Sequence, residues 1–352
     1  MAAPVHIRSR AARPTRTPFK KRRPFRSDQT VGALGVAFLV AALLGSQSLV
    51  ELARQQPYGT LRTVSLTLAQ GVDRVAHALS LDRPARAMKG WTGKTPPVLV
   101  DVEALVQRQA VVPPTTASTI PLDVNPATGL RYISVEEPLR VLLAGDSMMR
   151  ELGTAMQELA PTDLTNIRLD YRISSGLSRP DYFDWPSKLA QLLDSYEPEA
   201  VVVLFGTNDH QDVEVNGRVL AVDSPEWLTE YHRRVGLVMD LLHRPGLTLT
   251  WVALPAMRSA EFSTAMARLS EVYRVEAASR PWVSLVNSGA AIDATDGSYA
   301  AALPAAGSEP VVMRQDDGVH FSKAGAQRAG LVVWGNVAQR WDLARAKAAQ
   351  ND

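Results

Sequence analysis

Val141-Leu-Leu-Ala-Gly-Asp-Ser-Met-Met-Arg150 is the stretch on which the reading of this chain turns. Leu139, Val141, Leu142, Leu143 and Ala144 form a continuous apolar run of strand length. The run breaks at Gly145-Asp146-Ser147 and resumes as a helix through Glu151 to Leu159. A serine at such a break stands at the carboxyl end of a buried strand. Its backbone N–H is one of the unpaired donors that open a helix, where developing negative charge is stabilised. Gly-Asp-Ser is also an ordinary turn with a capping residue, so the tripeptide needs company before it indicates a nucleophile.

The company lies further along. After residue 138 strand-like runs at Leu139 to Ala144, Ile167 to Ile173, Ala200 to Phe205, Leu247 to Ala253 and Trp282 to Val286 alternate with helical segments near 147–160, 187–196, 226–243, 260–279 and 323–345. Five such units predict a mostly parallel sheet covered by helices on both faces. In that architecture ligands bind beyond the carboxyl ends of the strands. Those are the places where the unusual residues fall. Strand one is followed by Gly145-Asp146-Ser147, strand two by Ser174-Ser175-Gly176 and strand three by Gly206-Thr207-Asn208-Asp209, and the last long loop carries Asp317-Gly318-Val319-His320.

The order and spacing of these four blocks resemble those of the SGNH/GDSL hydrolases, the superfamily of serine esterases and acyltransferases named for Ser, Gly, Asn and His. The match covers about 139 to 345. Within the superfamily the chain is similar to a bacterial, membrane-anchored envelope group, whose pattern is echoed in Ser175-Gly-Leu-Ser-Arg-Pro-Asp181, in Phe183-Asp-Trp-Pro186 and in Asp317-Gly-Val-His-Phe321. Met148 stands where the namesake motif has leucine, a packing position. The resemblance implies a three-layer αβα sandwich around a mostly parallel five-stranded sheet with flavodoxin-like strand order. It also assigns the oxyanion donors: the backbone N–H of Ser147, the backbone N–H of Gly176 and the side-chain amide of Asn208.

The residue types supply the remaining roles. Ser147 needs a base, and His320 lies in a glycine-containing turn three residues after a carboxylate. Asp317 would orient that imidazole and stabilise its charged form, with Asp316 as the alternative. Of the other histidines, His77, His232 and His243 fall in helical segments, while His210 follows Asp209 at a strand end and could meet substrate. Asp146 and Asp209 read as structural carboxylates that hold loop backbone near the site. Arg179 and Arg258 are candidates for a substrate carboxylate or phosphate, or are simply solvated. Trp185, with Tyr182 and Phe183, is either a sugar- or acyl-binding wall or loop packing.

Rival chemistries find less support. His210 with Asp209 and Asp212, or His320 with Asp316 and Asp317, could present ligands to a metal, but neither set has a paired-histidine helix spacing. No glycine-rich phosphate loop follows a strand. No cofactor is expected. The chain has no cysteine, which excludes disulfides and thiolate metal sites.

Charge and hydropathy divide the rest. The net charge of +2 hides an asymmetry, because residues 1–30 carry nine Lys/Arg and one Asp, so the remainder holds 29 basic against 35 acidic side chains. A mildly acidic body argues against nucleic acid as its partner. We expect residues 1–30 to be a disordered basic cytoplasmic arm and 31–50 to be a transmembrane helix, uncharged and barely long enough if Ser46, Gln47 and Ser48 reach the far interface. Residues 51–130 are expected to form an extracytoplasmic stalk helix and a Pro/Thr-rich linker, and 131–352 the catalytic domain. The basic block places the N-terminus inside, making a single-pass protein of the inner (cytoplasmic) membrane with a periplasmic, or otherwise extracytoplasmic, body. A cleaved signal peptide is the alternative, and it exports the body equally. The sequence therefore predicts a membrane-anchored serine esterase or acyltransferase acting on an acylated carbohydrate or other ester, an O-acylated envelope glycan or exopolysaccharide in this location, in company with envelope biosynthesis proteins. The rival of another class is a catalytically idle glycan-binding or scaffold component that keeps the fold.

Overall fold

The computed structural model describes residues 27–81, 101–111, 124–305 and 308–348. The basic arm up to residue 26 and most of the proline-rich linker lie outside the described residues.

The alternation after residue 138 is observed nearly as read. Strands β1 (Leu139–Gly145), β2 (Thr165–Tyr171), β3 (Ala200–Leu204), β6 (Thr248–Ala253) and β7 (Val283–Asn287) form one sheet in the order β2-β1-β3-β6-β7. Every neighbouring pair is parallel. β1, β3 and β6 are almost wholly buried, which is why they read as unbroken apolar runs rather than alternating ones. α5 (Ser147–Leu159) packs with α9 (Lys323–Arg340) on one face. α6 (Trp185–Tyr196), α7 (Pro225–Leu241) and α8 (Ala260–Ala278) cover the other.

Local chemistry fixes where these helices begin. Asp146, Asp184, Ser224, Ser259 and Ser322 each accept a hydrogen bond from a backbone N–H of the helix they open. Asp342, at a φ of 48°, ends the last long helix, so the expected segment 323–345 divides into α9 and the short α10 (Leu343–Ala348). Strand order reverses between β1 and β3, whose other partners lie in opposite directions. The crevice at that switch point is where a ligand enters such a sheet, and the loops after β1, β2 and β3 meet there.

Two short hairpins complete the body. β4 (Val213–Val215) and β5 (Arg218–Leu220) are joined by Asn216-Gly217, both at positive φ, the turn this dipeptide favours. β8 (Ala302–Ala305) pairs with β9 (Ser308–Val312).

The N-terminal half departs from expectation in three places. The stretch 31–50 is not one helix. α1 (Ser27–Leu44) stops at Gly45, and the chain bends by 76° into α2 (Ser46–Gln55). Ser46, expected at a membrane interface, is instead buried and donates to Asp73 Oδ1 (2.7 Å) on α3 (Thr60–Ala78). No single helix among the described residues is long and apolar enough to cross a membrane, although α1 and α2 together pass by length and composition.

The linker is the second departure, because it contains a helix, α4 (Val102–Val111), that packs on α6 and α7. Val102 enters the main core and Glu103 pairs with Arg233. The body also begins before residue 131, since Val124 bridges to Arg131 and Leu130 is in the core.

Third, the α2–α3 hairpin is no detached stalk. It docks on the loop after β2 through Tyr58 and Arg62, which both bind Asp181, and through Glu51, which binds Arg172.

Candidate active site

Ser147 is the first residue of α5 and is 8% exposed. Its Oγ lies 2.8 Å from His320 Nε2, and His320 Nδ1 lies 2.6 Å from Asp317 Oδ2. An ionised carboxylate can only accept, so Nδ1 carries the proton and donates it to Asp317. Nε2 is then left as the acceptor of the serine hydroxyl. This is the tautomer a general base requires.

The turn carrying the carboxylate and the imidazole is held from several sides. Asp317 Oδ1 accepts from the backbone N–H of Val319 (2.8 Å) and of His320 (3.0 Å). Gly318 sits at a φ of 73° with its N–H on Gln315 O, and a Cβ there would lie 2.5 Å from Arg258 Cβ, so both backbone and space select glycine. Arg314, 2% exposed, donates to Val319 O (2.7 Å), Ala256 O (2.6 Å) and Asp293 (3.1 Å). Partial burial raises the Asp317 pKa, but the hydrogen bonds from the His320 ring and the two backbone N–H groups outweigh it and hold the carboxyl at about 2. Asp316 is exposed, and only its carbonyl is used, by Arg258 Nη1 (2.6 Å).

The three strand-end blocks are cross-braced by two buried carboxylates. Asp146 Oδ1 accepts from Met148 N (2.8 Å), while its Oδ2 accepts from the backbone N–H (3.1 Å) and hydroxyl (2.7 Å) of Thr207. It thereby ties the serine block to the asparagine block. Asp209 ties the asparagine block to the glycine block, accepting from Leu177 N and from Ser178 N (2.8 Å), with the Tyr231 hydroxyl (3.0 Å) on its other oxygen. A Cβ on Gly176 would fall 2.1 Å from Asp209 Oδ1, so this close approach admits only glycine. Asn208 Nδ2 donates to Ser175 O (3.0 Å), which aims the amide at the same loop, and makes a longer contact with Thr207 Oγ1 (3.5 Å). Burial pushes Asp146 up to about 6, against the bonds from Thr207 and Met148, and it raises Asp209 as well.

The substrate-contact candidates are placed differently. Trp185 does not form a wall beside the serine. It is fully buried, donates to Ser175 Oγ (2.8 Å) and packs, with tilted and edge-on ring contacts, in a core series through Phe205 to Trp251. Arg179 is neither solvated nor turned to a ligand. It is 3% exposed and donates to the carbonyls of Arg54 and Gln56, to Asp181 and to Gln211. Gln211 in turn donates to Asn208 O, so the α2–α3 turn, the glycine loop and the asparagine block all meet at this guanidinium. His210 bonds to Asp223 (3.1 Å) and packs edge-on against Trp227. Arg258 braces the Asp317 turn. Met148, the departure from the namesake motif, is fully buried and packs.

The metal sets are not assembled either, because Asp209 faces Leu177, Ser178 and Tyr231, while Asp212 Oδ1 accepts from Val222 N (2.8 Å). Thr207, Gln211, Tyr231 and Arg314 are supports that sequence reading missed, since each acts on a partner distant in sequence; Thr207 lies within the asparagine block, and the other three belong to none.

A parallel sheet in this order, with serine, glycine, asparagine and histidine blocks gathered at its carboxyl edge, is what the resemblance to the SGNH/GDSL hydrolases implied. The chain belongs to the family described as Protein of unknown function (DUF459), whose model matches residues 140–333. It is similar to a solved protein from Slackia heliotrinireducens assigned as an SGNH hydrolase (18% identity, TM-score 0.41, covering 57% of this chain and 99% of that one). It is also similar to the C-terminal catalytic domain of peptidoglycan O-acetyltransferase A from Streptococcus pneumoniae (14%, 0.38, 58% and 95%). A GDSL-like lipase from Bacteroides thetaiotaomicron is another such structure (12%, 0.38, 68% and 98%). No curated protein matches the chain.

One consequence of the geometry is testable here. Asn208→Ala should keep the fold and a reactive Ser147 but lower kcat by on the order of 10²- to 10³-fold, because one donor to the transition-state oxygen is lost. Steady-state kinetics on 4-nitrophenyl acetate, with circular dichroism as the folding control, measures this. Turnover close to the parent's would remove Asn208 from the mechanism.

Proposed function

We propose that this chain is a membrane-held, extracytoplasmic serine acyl-ester enzyme that acts through an acyl-serine, on O-acylated envelope glycan or exopolysaccharide. The observation that carries the reading is the hydrogen-bonded series Ser147–His320–Asp317 at the opening of α5. Ser147 Oγ attacks the ester carbonyl as its proton passes to His320 Nε2. The oxyanion is met by the N–H groups of Ser147 and Gly176 and by the Asn208 amide. Collapse expels the alcohol, which takes the proton from His320, and leaves the acyl group on Ser147. A second nucleophile then gives its proton to His320 as it attacks the acyl carbon, and collapse breaks the acyl–Oγ bond while His320 returns that proton to Ser147 Oγ. Water in this role makes the reaction hydrolysis, and a sugar hydroxyl makes it transfer.

The ground beside the serine supports a hydroxyl-rich substrate. A groove of about 420 Å³ between α5 and α9 is lined by Arg150, Glu151, Thr154, Gln315 and Gln327, with Phe321 at its side. Residues 150, 151 and 154 follow Ser147 by three, four and seven positions and so share its helix face. Its charged, amide and hydroxyl groups can meet the hydroxyls of a sugar, and Ala155, Phe321 and Ala326 give it an apolar wall as well.

A fluorophosphonate probe tests the nucleophile. The full chain is the right material, because Arg179 fastens the glycine loop to residues 54 and 56. The parent protein should be labelled and Ser147→Ala should not. An unlabelled parent, or labelling that survives the substitution, would overturn the reading.

A further inference from the structure

Thirteen of the 22 exposed large apolar side chains among the described residues lie between Val31 and Leu79, a concentration that a freely solvated surface does not carry. They fall into two patterns. On α1, Val31, Leu34, Val36, Phe38, Leu39, Val40 and Leu44 are all exposed, and at about 100° per residue they point around the whole circumference. On α3 and its C-terminal cap, Leu61, Val64, Leu68, Val75 and Leu79 are exposed, and they fall within about 60° of arc. The opposite side of α3 is polar, with Thr63, Thr67, Gln70 and Arg74. A third side, centred on Ala69 and Ala76, is buried.

These patterns identify what covers them. A protein partner covers one side of a helix, whereas α1 is apolar all round, which only a surrounding apolar solvent satisfies. α1 touches α3, so the two apolar surfaces adjoin. The nine basic residues that precede α1 complement the anionic headgroups of the leaflet on the far side from α3, which sets the direction in which α1 enters. The 76° bend at Gly45 turns the following hairpin away from the α1 axis, as a helix entering a bilayer requires of a segment that stays at its surface.

We propose that α3 lies along an anionic lipid bilayer with its Leu61–Leu79 stripe in the headgroup–acyl boundary, while α1 enters the hydrocarbon. An interfacial helix sinks its apolar face by about 5–10 Å. The proposal rests on the membrane placement given under Proposed function and adds a consequence for the site. Arg62, on α3, binds Asp181, and Arg179 binds the carbonyls of Arg54 and Gln56, so the loop bearing Gly176 is fastened to the lipid-lying hairpin. The site is held at a fixed height above the membrane, and its substrate is reached there.

The absence of cysteine makes the test direct. Single substitutions Phe38→Cys, Leu68→Cys and Gln70→Cys in the full chain are labelled with a nitrobenzoxadiazole dye and reconstituted into phosphatidylglycerol/phosphatidylcholine vesicles. The vesicles carry a spin label either near the headgroup or deep in the acyl chain. The deep label should quench the dye at Phe38 and the shallow label that at Leu68, with Gln70 quenched by neither. Quenching at Phe38 but not at Leu68 overturns the α3 proposal and leaves the anchor standing. Quenching at neither position overturns the membrane placement itself. Shielding of Leu68 from aqueous iodide that grows with protein concentration, without lipid quenching, assigns the stripe to a second copy and also overturns the proposal.

Discussion

Replacing His320 with alanine is expected to lower kcat on 4-nitrophenyl acetate by on the order of 10⁶-fold while leaving the thermal unfolding transition close to that of the parent. The size follows from how a serine nucleophile is made. Ser147 is a weak nucleophile until Nε2, 2.8 Å away, takes its proton, and a hydroxyl without that base is almost as inert as no hydroxyl at all. Removing base or nucleophile therefore costs about the same, and Ser147→Ala combined with His320→Ala should be scarcely worse than either alone. The fold should tolerate the loss, since the ring is partly exposed and its neighbours in the turn are held by Arg314 and Gln315. Steady-state kinetics of the two single variants and the double variant decides the matter. Additive losses, or a His320→Ala enzyme with substantial turnover, would mean that another group takes the proton.

Asp317→Asn should be nearly as severe, on the order of 10⁴-fold in kcat, because an amide in place of the carboxylate loses the imidazolium's partner and can hold the ring in the wrong tautomer. Asp316→Asn should stay near the parent value, since the Asp316 side chain is exposed and the bond it supports comes from its backbone carbonyl. The reverse order of effects would move the third member of the triad by one residue.

The same carboxylate has a pH signature in stability. Its pKa in the folded chain, about 2, is below the unfolded value of about 3.9. The unfolded chain therefore binds the proton first as pH falls. The contribution of Asp317 is present above the unfolded value and is lost as pH drops towards 2. Because the side chain is almost half exposed, solvent screens the effect and it should be small. Thermal unfolding of parent and Asp317→Asn should differ most above about pH 4 and converge near pH 2. Asp146 runs the other way, because burial raises it to about 6. Its contribution is fullest below its unfolded value and declines as pH rises through 6.

How far these residues could be read in advance depends on how local their causes are. The buried strands β1, β3 and β6 announce themselves because both of their faces are covered, and the helix starts because a single Asp or Ser caps each one. The Asn216-Gly217 turn has an equally local cause, although it was not read in advance, since both residues at positive φ are of the types that turn selects. The four chemical blocks followed from the architecture, because a parallel sheet delivers its strand ends to one edge.

What sequence alone determined was this local and periodic layer: five strands with their helices, the blocks at their ends, and the pairing of Asp317 with His320 across a three-residue turn. What only the tertiary structure decided were contacts between segments whose separation in sequence carries no signal. Sequence left Arg179 open as a substrate contact or a solvated residue, and Trp185 as a substrate wall or loop packing. The fold buries them, one on carbonyls 123 and 125 residues earlier and the other in the core aromatic series. The helix at 102–111 sits in a proline-rich stretch and gains its place only by packing on α6 and α7. The apolar run 31–50 has the composition of one span, yet it breaks at Gly45 because Ser46 finds Asp73 across the hairpin. For Arg179, Trp185 and Ser46 a buried polar group had to find a partner, and for the helix at 102–111 an apolar face had to; which partner was found depended on which distant segments the folded chain brought together.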